Sequence, residues 1–522
     1  MLRRGSEVVS DGRPVSRVSE LGTVAIVGAG PGGLVAARYL LLHGFEVVVF
    51  EQSNRVGGQW NQGAAHSGVW PAMLTNTSRL TTYFSDQPWP QGAPTFPHNA
   101  QVREYLEQFA YRFGIAPRIK LGHRVDAIER DGDVWMVASV DADGTASTRA
   151  FSHVVVASGR YHLPEIPNVP GLDTFSGSLG VGHTFSYRGP DAYRGQRVLV
   201  MGCSISSVEI ASELAMSGAA RVVSSYRRQR YVLQRIIAGM PLDAIAFTRF
   251  RVLAGETFPI EVVKAGLKEF IVRTSGEPQF WGARRADDDP FVAGITQSQY
   301  YLPLVCEGRI TTKPWVRSVD GRTVTFEDGT SEDFDGILFG TGFTLDLPSL
   351  GRTIRDALGT DADALRLYHH TFHPNLPNLA FAGSFHQGGP YFPPLELQVR
   401  WISYVWSGLR PQPTSDEMRI AMASHATDAN TLMRMSEMCL LFARLAGVEP
   451  DVDQWPELKR ALLFGPLTPS SFRLSGPDAL PDAPLRFAAE AAEFGMITSP
   501  ELTESEQEML RALLAARASA ER

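Results

Sequence analysis

The sequence predicts an α/β protein that contains two Rossmann-like dinucleotide-binding units. A valine-rich strand, a glycine turn and a helix of small residues follow one another over residues 24–42. The same order of strand, turn and helix recurs over residues 197–217. The 522 residues also provide enough chain for two or three domains, at about 150 residues each. Strands that alternate with helices in this way are typical of α/β folds with parallel sheets.

The first turn directly follows the predicted strand Val24–Val27. Its glycines satisfy the pattern G-x-G-x-x-G: the first permits the tight turn, the second lets the backbone approach a pyrophosphate, and the third lets helix and strand pack closely. The N-terminus of the following helix, residues 34–42, offers free N–H groups and a positive dipole end to phosphate. The next strand delivers Glu51, where a carboxylate can accept ribose hydroxyls. A dinucleotide site is therefore predicted at Gly28, Gly30, Pro31, Gly32, Gly33 and Glu51.

Composition and charge narrow the classes of function. A net charge of −7 argues against a general nucleic-acid binder, whose surface would be basic. The three cysteines form no C-x-x-C pair, which argues against a disulfide framework or a redox dithiol and predicts a reduced, cytoplasmic protein. No apolar run approaches the roughly 18 residues that span a bilayer, so no membrane partner is predicted. Residues 1–20 have no signal-peptide core and are predicted to form a flexible tail.

The loop after the second strand ends in Gly57-Gly58-Gln59-Trp60, which resembles the FAD-binding half of the two-dinucleotide flavoproteins. In those proteins the backbone after the glycines passes along the flavin, which implies that Gln59 and Trp60 lie beside FAD. Further on, Asn76-Thr77-Ser78 is followed by Asp86-Gln87-Pro88. This combination is similar to the flavin-containing monooxygenases, the class B single-component family. A plain surface loop with a buried tryptophan, and an Asx-turn at Asn76, are the alternatives.

The resemblance gives Asn76 the one catalytic role predicted in the chain. In the family this asparagine lies beside the reactive edge of the flavin and the nicotinamide, where its amide can donate to a flavin peroxide without being a strong acid. Three further family segments imply FAD contacts at Val125, Gly383 and Gln398. They are Gly122–Val125, the strand-like run Asn375–Gly383 and an E-x-Q-x-R-W helix at Glu396–Trp401. The resemblance extends over about residues 22–484.

The second turn follows the predicted strand Arg197–Met201, and serines stand in place of its second and third glycines. It resembles the NADPH turn of the same family, in which serine hydroxyls can bond the pyrophosphate while the backbone stands further off. The next strand ends in two arginines instead of a carboxylate, which favours NADPH over NADH because a guanidinium can hold a 2′-phosphate that an acid would repel. A solvated basic loop is the alternative. The predicted NADPH contacts are Gly202, Ser204, Ser206, Ser207, Arg227 as the first candidate for the 2′-phosphate, and Arg228 as the second.

The family's linker signature is imperfect between Phe175 and Arg188. His183 stands two residues later than the pattern F-x-G-x-x-x-H requires, whereas Tyr187-Arg188 keeps its spacing from His183. Baeyer–Villiger oxygenases of the superfamily usually carry Trp-Pro or Trp-Asp in place of Tyr187-Arg188, so the dedicated ester-forming branch is disfavoured. A purely structural role for His183 is equally compatible with the sequence.

The resemblance also implies that the NADPH domain is inserted in the FAD domain. The run Ile337–Phe343 is similar to a family motif A-T-G-Tyr, with Gly340 and Phe343 as changes, and is expected to mark the return to the FAD domain. The predicted plan is a tail at 1–20, a first FAD part at 21–187, an NADPH domain at 188–334 with a helical insertion at 234–303, a second FAD part at 335–450, and a helical C-terminal extension at 451–522.

Together these expectations describe a monooxygenase that consumes NADPH and O2. The resemblance implies hydride transfer to FAD, formation of a C4a-(hydro)peroxyflavin, and attack by a soft nucleophile, an amine nitrogen or a sulfur. A Baeyer–Villiger or carbon-hydroxylating oxygenase, an NADPH oxidase and an idle flavin-binding protein are the alternatives. The substrate is a small molecule that the sequence does not identify, no metal site is predicted, and a homodimer is left open. The proline- and arginine-rich, bacterial-looking chain fits secondary metabolism and amine catabolism equally.

Overall fold

Two five-stranded parallel sheets organise the chain. The computed structural model describes residues 21–359, 365–424 and 433–520, so the predicted flexible tail at 1–20 lies outside the described residues. Each sheet has at its centre the strand that precedes a glycine turn. The predicted α/β class with two Rossmann-like units is confirmed.

The first sheet is built around the predicted strand Thr23–Val27. Thr23 lies opposite Glu46 on one side, and Val24 lies opposite His153 on the other, in parallel register. Residues 24–27 are buried, which explains their continuous run of aliphatic side chains. The strands follow the spatial order Leu379–Phe381, His153–Val156, Thr23–Val27, Glu46–Glu51 and Ile119–Leu121.

The second sheet extends beyond the range 188–334 expected for the NADPH domain. Its strands follow the order Ile310–Lys313, Arg221–Ser225, Arg197–Met201, Gly336–Phe339 and Gly180–His183. Gly336–Phe339 is wholly buried and pairs with both Arg197–Met201 and Gly180–His183. The run at 337–339 therefore still belongs to the second sheet, and the chain re-enters the first sheet only at Leu379–Phe381.

Each glycine turn leads into a helix, Pro31–Leu42 in the first unit and Ile205–Met216 in the second. The first helix begins at Pro31, before the predicted start at residue 34, because the fixed φ of proline suits the first helical position. A further helix spans Asn99–Arg112. Val134–Val140 and Ala146–Phe151 form a hairpin, and Arg124–Asp131 pairs antiparallel with the first of these strands.

Residues 234–303, hereafter the insertion, are mainly helical. Ile295–Gln297 pairs in parallel with Tyr231–Leu233, which attaches the insertion to the chain that leaves the second unit. A short hairpin joins Ile236–Ile237 to Met240–Pro241. The helices are Leu242–Ala246, Arg249–Thr257, Ile260–Ser275, Pro290–Ala293 and Tyr301–Cys306.

The C-terminal part is also largely helical. Every residue of the helix Phe392–Trp406 is buried. No helix within the described ranges combines the length and the apolar character needed to cross a membrane.

The remaining helices are Arg352–Leu358, Ser415–Ser424, Met435–Ala446, Lys459–Phe464, Ala483–Ala492 and Glu504–Ala520. The remaining strands are Val316–Asp320, Thr323–Phe326 and Ser331–Asp333 in one antiparallel sheet, and the pairs Leu163–Pro164 with Phe343–Thr344 and Gln387–Gly388 with Met433–Arg434.

A buried cluster of charges joins the first-turn helix to the C-terminal part. The Tyr39 hydroxyl donates to Glu396 over 2.6 Å. The guanidinium of Arg473 lies 3.1 Å from Asp86 and also within ion-pair distance of Glu396. Because opposite charges accompany one another here, their burial leaves no isolated ion. The helix Phe392–Trp406 thereby supplies side chains that hold the first unit together.

Candidate active site

The first turn has the tight geometry that its glycines predict. Gly28 has a φ of +104°, and its N–H donates to the carbonyl of Phe50 over 2.8 Å. A Cβ placed on Gly33 would lie 1.8 Å from the carbonyl oxygen of Gly28, so only glycine fits there. A Cβ on Gly32 would meet nothing closer than Leu395, at 3.6 Å. The close approach of helix and strand therefore depends on Gly33 in particular.

The N-terminus of the first-turn helix is suited to a phosphate. Gly30 occupies the N-cap without a side-chain hydrogen bond, and Pro31 follows at the first helical position. The first N–H groups thus have no side-chain cap and carry the positive end of the helix dipole. Gly58 packs so closely that a Cβ on it would lie 3.0 Å from the Cα of Gly30. A side chain on either glycine would fill this cradle, and these residues fit the pyrophosphate of FAD.

Glu51 supports the turn from the end of its strand, where it is 4% exposed. Its Oε2 accepts the N–H of Ala29 and its Oε1 accepts the N–H of Ser53, each over 2.8 Å. The carboxylate keeps lone pairs for ribose hydroxyls, because each oxygen can accept two bonds. Val125 is brought to the same strand end, since the N–H of His123 donates to the Glu51 carbonyl over 2.9 Å.

Gln398 supports the site through another residue. Gly383 has a φ of +72°, and its N–H donates to Oε1 of Gln398 over 2.9 Å. The Gln398 side chain is completely buried, and its Nε2 donates to two carbonyls and a hydroxyl, those of His370, Phe381 and Thr371. Its amide is used within the protein. Gln398 therefore fixes Gly383 instead of presenting its own amide to a cofactor.

Asn76 lies half-buried in a loop that is fixed on both sides. The N–H of Thr75 donates to the carbonyl of Pro97 over 2.9 Å, and the N–H of Ser78 donates to Asp243 over 3.0 Å. Within the described residues the Asn76 amide itself forms no hydrogen bond. An amide that is held in place and free of protein partners suits a ligand-binding role.

The two residues that follow the pair Gly57-Gly58 differ in burial. Gln59 is exposed at the surface of its loop, whereas Trp60 is half-buried and packs against the core of the first unit. Gln59 is therefore accessible to a ligand, and Trp60 belongs in part to the core.

The second turn repeats the backbone of the first. Gly202 has a φ of +116°, and its N–H donates to the carbonyl of Ser225 over 2.8 Å. Ser204 occupies the helix N-cap, is exposed and forms no capping bond, and Ser206 is half-buried. Ser207 is completely buried, and its hydroxyl donates to the Gly340 carbonyl over 3.0 Å. Ser204 and Ser206 can thus serve a pyrophosphate, whereas the Ser207 hydroxyl bonds the protein.

The departures at Ser207 and Gly340 are physically linked. A Cβ placed on Gly340 would lie 2.1 Å from the Oγ of Ser207. The alanine of the family motif would therefore not fit beside this serine. Ser207 and Gly340, 133 positions apart, therefore compensate for one another and are hereafter called the compensated pair. A comparison of each motif by itself would treat them as two unrelated changes.

Arg227 and Arg228 lie at the end of the strand Arg221–Ser225, as predicted. The Arg227 guanidinium lies over Trp315, 4.6 Å from the ring centre, and forms no ion pair within the described part of the chain. Arg228 donates to the carbonyl of Val292 over 2.8 Å. Arg227 is therefore the better placed of the two to bind a phosphate.

Arg284 of the insertion is a further candidate that no sequence pattern indicates. It donates to the carbonyl of Tyr226 over 2.7 Å, and its guanidinium lies 5.5 Å from the centre of the Tyr226 ring. Arg284 thus contacts the residue that precedes Arg227 in the chain, and it has no carboxylate partner among the described residues. Two such guanidiniums at a strand end suit a 2′-phosphate.

His183 has a structural role in the linker. It is 5% exposed, and its Nδ1 accepts the N–H of Phe185 over 3.0 Å. Burial lowers the pKa of His183 to about 4, so the ring is neutral at neutral pH and can accept this bond. Arg188 donates to the carbonyls of Phe185 and Tyr187. The geometry favours the structural alternative for His183.

The two turns differ in the ligand each can hold. The first combines a tight helix N-terminus with a carboxylate for a ribose, and the second combines serines with arginines for a 2′-phosphate. This division is that of a flavoprotein oxidoreductase with two dinucleotide sites.

Comparisons with known proteins agree with that class. The family model described as "Flavin-binding monooxygenase-like" matches residues 22–486. Dimethylaniline monooxygenase [N-oxide-forming] 2 of Cavia porcellus is 30% identical over an alignment of 493 positions, which covers 87% of this chain and 89% of the relative. Flavin-containing monooxygenase 2 of Homo sapiens is also 30% identical, with the same coverage. The chain belongs to the flavin-binding monooxygenase family, and it is an enzyme that uses FAD and NADPH.

Solved structures share the fold. S-allyl-L-cysteine S-oxygenase from Allium sativum superposes with a TM-score of 0.62 at 23% identity, covering 91% of this chain and 98% of the other. Cyclohexanone monooxygenase from Rhodococcus sp. Phi1 gives 0.60 at 20% identity, covering 82% and 97%.

Proposed function

We propose that this monooxygenase transfers one oxygen atom of O2 to a soft nucleophile, an amine nitrogen or a sulfur, of a small molecule. The observation that carries the proposal is Asn76, whose loop is fixed at Thr75 and Ser78 while its amide stays without a protein partner in the described chain. The relatives named for N-oxide formation, at 30% identity, support a nitrogen nucleophile.

Bound FAD and NADPH supply hydride transfer and oxygen activation, and the protein supplies binding and orientation. In this proposal the N-terminus of the first-turn helix binds the FAD pyrophosphate, and Glu51 binds its ribose. Arg227 and Arg284 bind the 2′-phosphate of NADPH. Asn76 would offer its amide N–H to the bound flavin.

A Baeyer–Villiger or carbon-hydroxylating oxygenase is the second candidate, because the fold is shared with cyclohexanone monooxygenase. Tyr187-Arg188, in place of the Trp-Pro or Trp-Asp of the ester-forming branch, favours the first candidate. The two differ in the atom that is oxygenated, so product analysis separates them.

The direct test is product analysis under 18O2 with NADPH and three substrate types, a tertiary amine, a sulfide and a cyclic ketone. We expect one 18O atom in an N-oxide or a sulfoxide. An ester product would establish the second candidate. NADPH consumption that yields only hydrogen peroxide with every substrate would identify an NADPH oxidase, and no NADPH consumption would identify an idle flavin-binding protein.

Asn76→Ala tests the role of the amide. We expect the rate of flavin reduction by NADPH to stay within about twofold, because hydride transfer needs no amide at this position, while more of the NADPH ends as hydrogen peroxide. Peroxide formed per NADPH consumed is the measurement. Asn54→Ala, at an exposed asparagine near the first turn, is the matched control. Unchanged coupling in Asn76→Ala would remove the assigned role.

A cytoplasmic location, a homodimer and a place in bacterial secondary metabolism or amine catabolism stay predictions. Fractionation and light scattering of the full chain would test the first two.

A further inference from the structure

The segment that carries Asn76, residues 76–86, is held by carboxylates from three other parts of the chain. Its donors reach the insertion, the helix Phe392–Trp406 and the C-terminal helix region. The bonds run from Ser78 and Thr81 to Asp243, from Arg79 to Glu493, from Tyr83 to Glu490, and from Ser85 to Glu396. Of these carboxylates, Asp243 binds the residue that lies nearest to Asn76 in the chain, Ser78.

Asp243 lies in the short helix Leu242–Ala246 of the insertion and is 1% exposed. Its Oδ1 accepts the N–H of Ser78 over 3.0 Å, and its Oδ2 accepts the Ser78 hydroxyl over 2.7 Å. Oδ2 also accepts the Thr81 hydroxyl over 2.6 Å. The Asp243 carboxylate thus accepts hydrogen bonds from both the backbone and the side chain of Ser78, two positions after Asn76.

Burying the Asp243 carboxylate costs free energy of folding. Within the described residues no cation pairs with Asp243, and its three bonds come from an amide and two hydroxyls. Burial raises its pKa above the ordinary value, although the three hydrogen bonds oppose this change. A buried acid without a cation costs stability that an apolar side chain of similar size would not. Its contribution therefore lies in fixing the geometry of the loop.

We propose that Asp243 is a positioning residue, through which the insertion holds the Asn76 amide at the flavin edge. The inference rests on the proposed function of Asn76. It gives the insertion a part in oxygen chemistry besides any effect on access. A change in the insertion that moves Asp243 would alter the coupling of NADPH use to product formation without touching a cofactor.

The test compares the holoenzymes of Asp243→Ala, Asp243→Asn and Thr81→Val. Asparagine can keep an acceptor for Ser78 and a donor for the hydroxyls, so Asp243→Asn is the conservative rescue. Ser212→Ala, which removes a buried hydroxyl bond to Val208 in the second unit, is the control for general loss of a hydrogen bond.

Two readouts are needed. The first is amide hydrogen exchange of the peptide that covers residues 76–86, because the Ser78 N–H loses its acceptor in Asp243→Ala. We expect exchange to become about tenfold faster or more in Asp243→Ala, to rise less in Thr81→Val, and to stay normal in Asp243→Asn and Ser212→Ala. The second is peroxide formed per NADPH, which should rise about threefold or more in Asp243→Ala at a flavin reduction rate within twofold of the unsubstituted enzyme.

The outcomes separate the inference from the proposed function. Normal coupling in Asn76→Ala overturns the proposed role of Asn76 and this inference with it. Uncoupling in Asn76→Ala together with normal coupling in Asp243→Ala overturns this inference alone. If Asp243→Ala does not fold, Thr81→Val decides: unchanged exchange and unchanged coupling overturn the inference, and a rise in both supports it.

Discussion

The two dinucleotide turns differ in which residue lacks a side chain where the helix packs against the neighbouring strand. In both, the N–H of the first glycine donates to the end of the next strand over 2.8 Å. In the first turn the helix position is Gly33, whose Cβ would meet the carbonyl oxygen of Gly28, and Ala157 follows the neighbouring strand His153–Val156. In the second turn the helix position is Ser207, and Gly340 follows the neighbouring strand Gly336–Phe339. The second turn thus has a side chain on the helix and a glycine after the neighbouring strand, the reverse of the first, so a degenerate motif can still form a complete turn.

The largest effect is expected from Gly33→Ala, which would break the first turn. The new Cβ would lie 1.8 Å from the Gly28 carbonyl oxygen, and backbone cannot move aside cheaply. We expect a loss of about 3 kcal/mol of stability or more, with little bound FAD. Urea unfolding and the FAD-to-protein absorbance ratio measure both. Gly266→Ala, in the helix Ile260–Ser275 with nothing within 4 Å of the new Cβ, is the control, and full FAD content in Gly33→Ala would contradict the comparison.

Arg227→Ala sharpens the difference between the strand ends, a carboxylate in the first unit and a guanidinium in the second. Loss of a charge-assisted bond to the 2′-phosphate should cost about 2 kcal/mol, or roughly 30-fold in kcat/KM for NADPH. The value for NADH should change little. Steady-state kinetics with both coenzymes is the measurement, with Arg228→Ala as the matched control. Equal losses for NADPH and NADH would remove Arg227 from this role.

Gly340→Ala tests the compensated pair directly. Its Cβ would lie 2.1 Å from the Oγ of Ser207, and overpacking of this kind costs about 1–2 kcal/mol. The double variant Ser207→Gly/Gly340→Ala lacks the Oγ of Ser207, with which the new Cβ would collide. Its stability and its KM for NADPH should therefore recover towards those of the unsubstituted enzyme. A double-mutant cycle from denaturant unfolding should give a coupling of about 1 kcal/mol. Additive effects would show that the two residues are independent.

The smallest effect is expected from two histidines, one in each sheet, of which His183 is buried and His153 is half-buried. Burial lowers the pKa of His153 and of His183 to about 4, against an ordinary value of 6.5. Between these pH values the unfolded chain binds protons that the folded chain does not, so stability falls as the pH drops from about 6.5 to about 4. His183→Asn, which keeps an N-cap acceptor, should make this slope shallower. Unfolding free energies across the range measure it, with His66→Asn, at a half-buried histidine outside both sheets, as control.

Much of the fold was predictable because its signals are local. A strand, a glycine turn and an acid at the next strand end identify the first unit, and the arginines after a strand of the second unit predict a preference for NADPH. The ends of the second unit were not predictable in this way, since Gly336–Phe339 joins the second sheet through long-range pairing.

The supporting residues of the site could not be predicted for the same reason. Asp243 and Arg284 contact residues that are distant in the chain, and no spacing rule connects them to those residues. Gln398 stands in a recognisable motif, but only its buried hydrogen bonds reveal that it serves Gly383.

The charge cluster at Tyr39 bears on how the protein is made. Tyr39 reaches Glu396, 357 positions later, and Arg473, 434 positions later. The strands of the second sheet, by contrast, all lie between residues 180 and 339. During synthesis the second unit can close while the first still waits for its partners, because contacts between distant residues form late. The first turn is thus translated well before the residues that complete its packing, and the contacts of Tyr39 can form only after residue 473 is available.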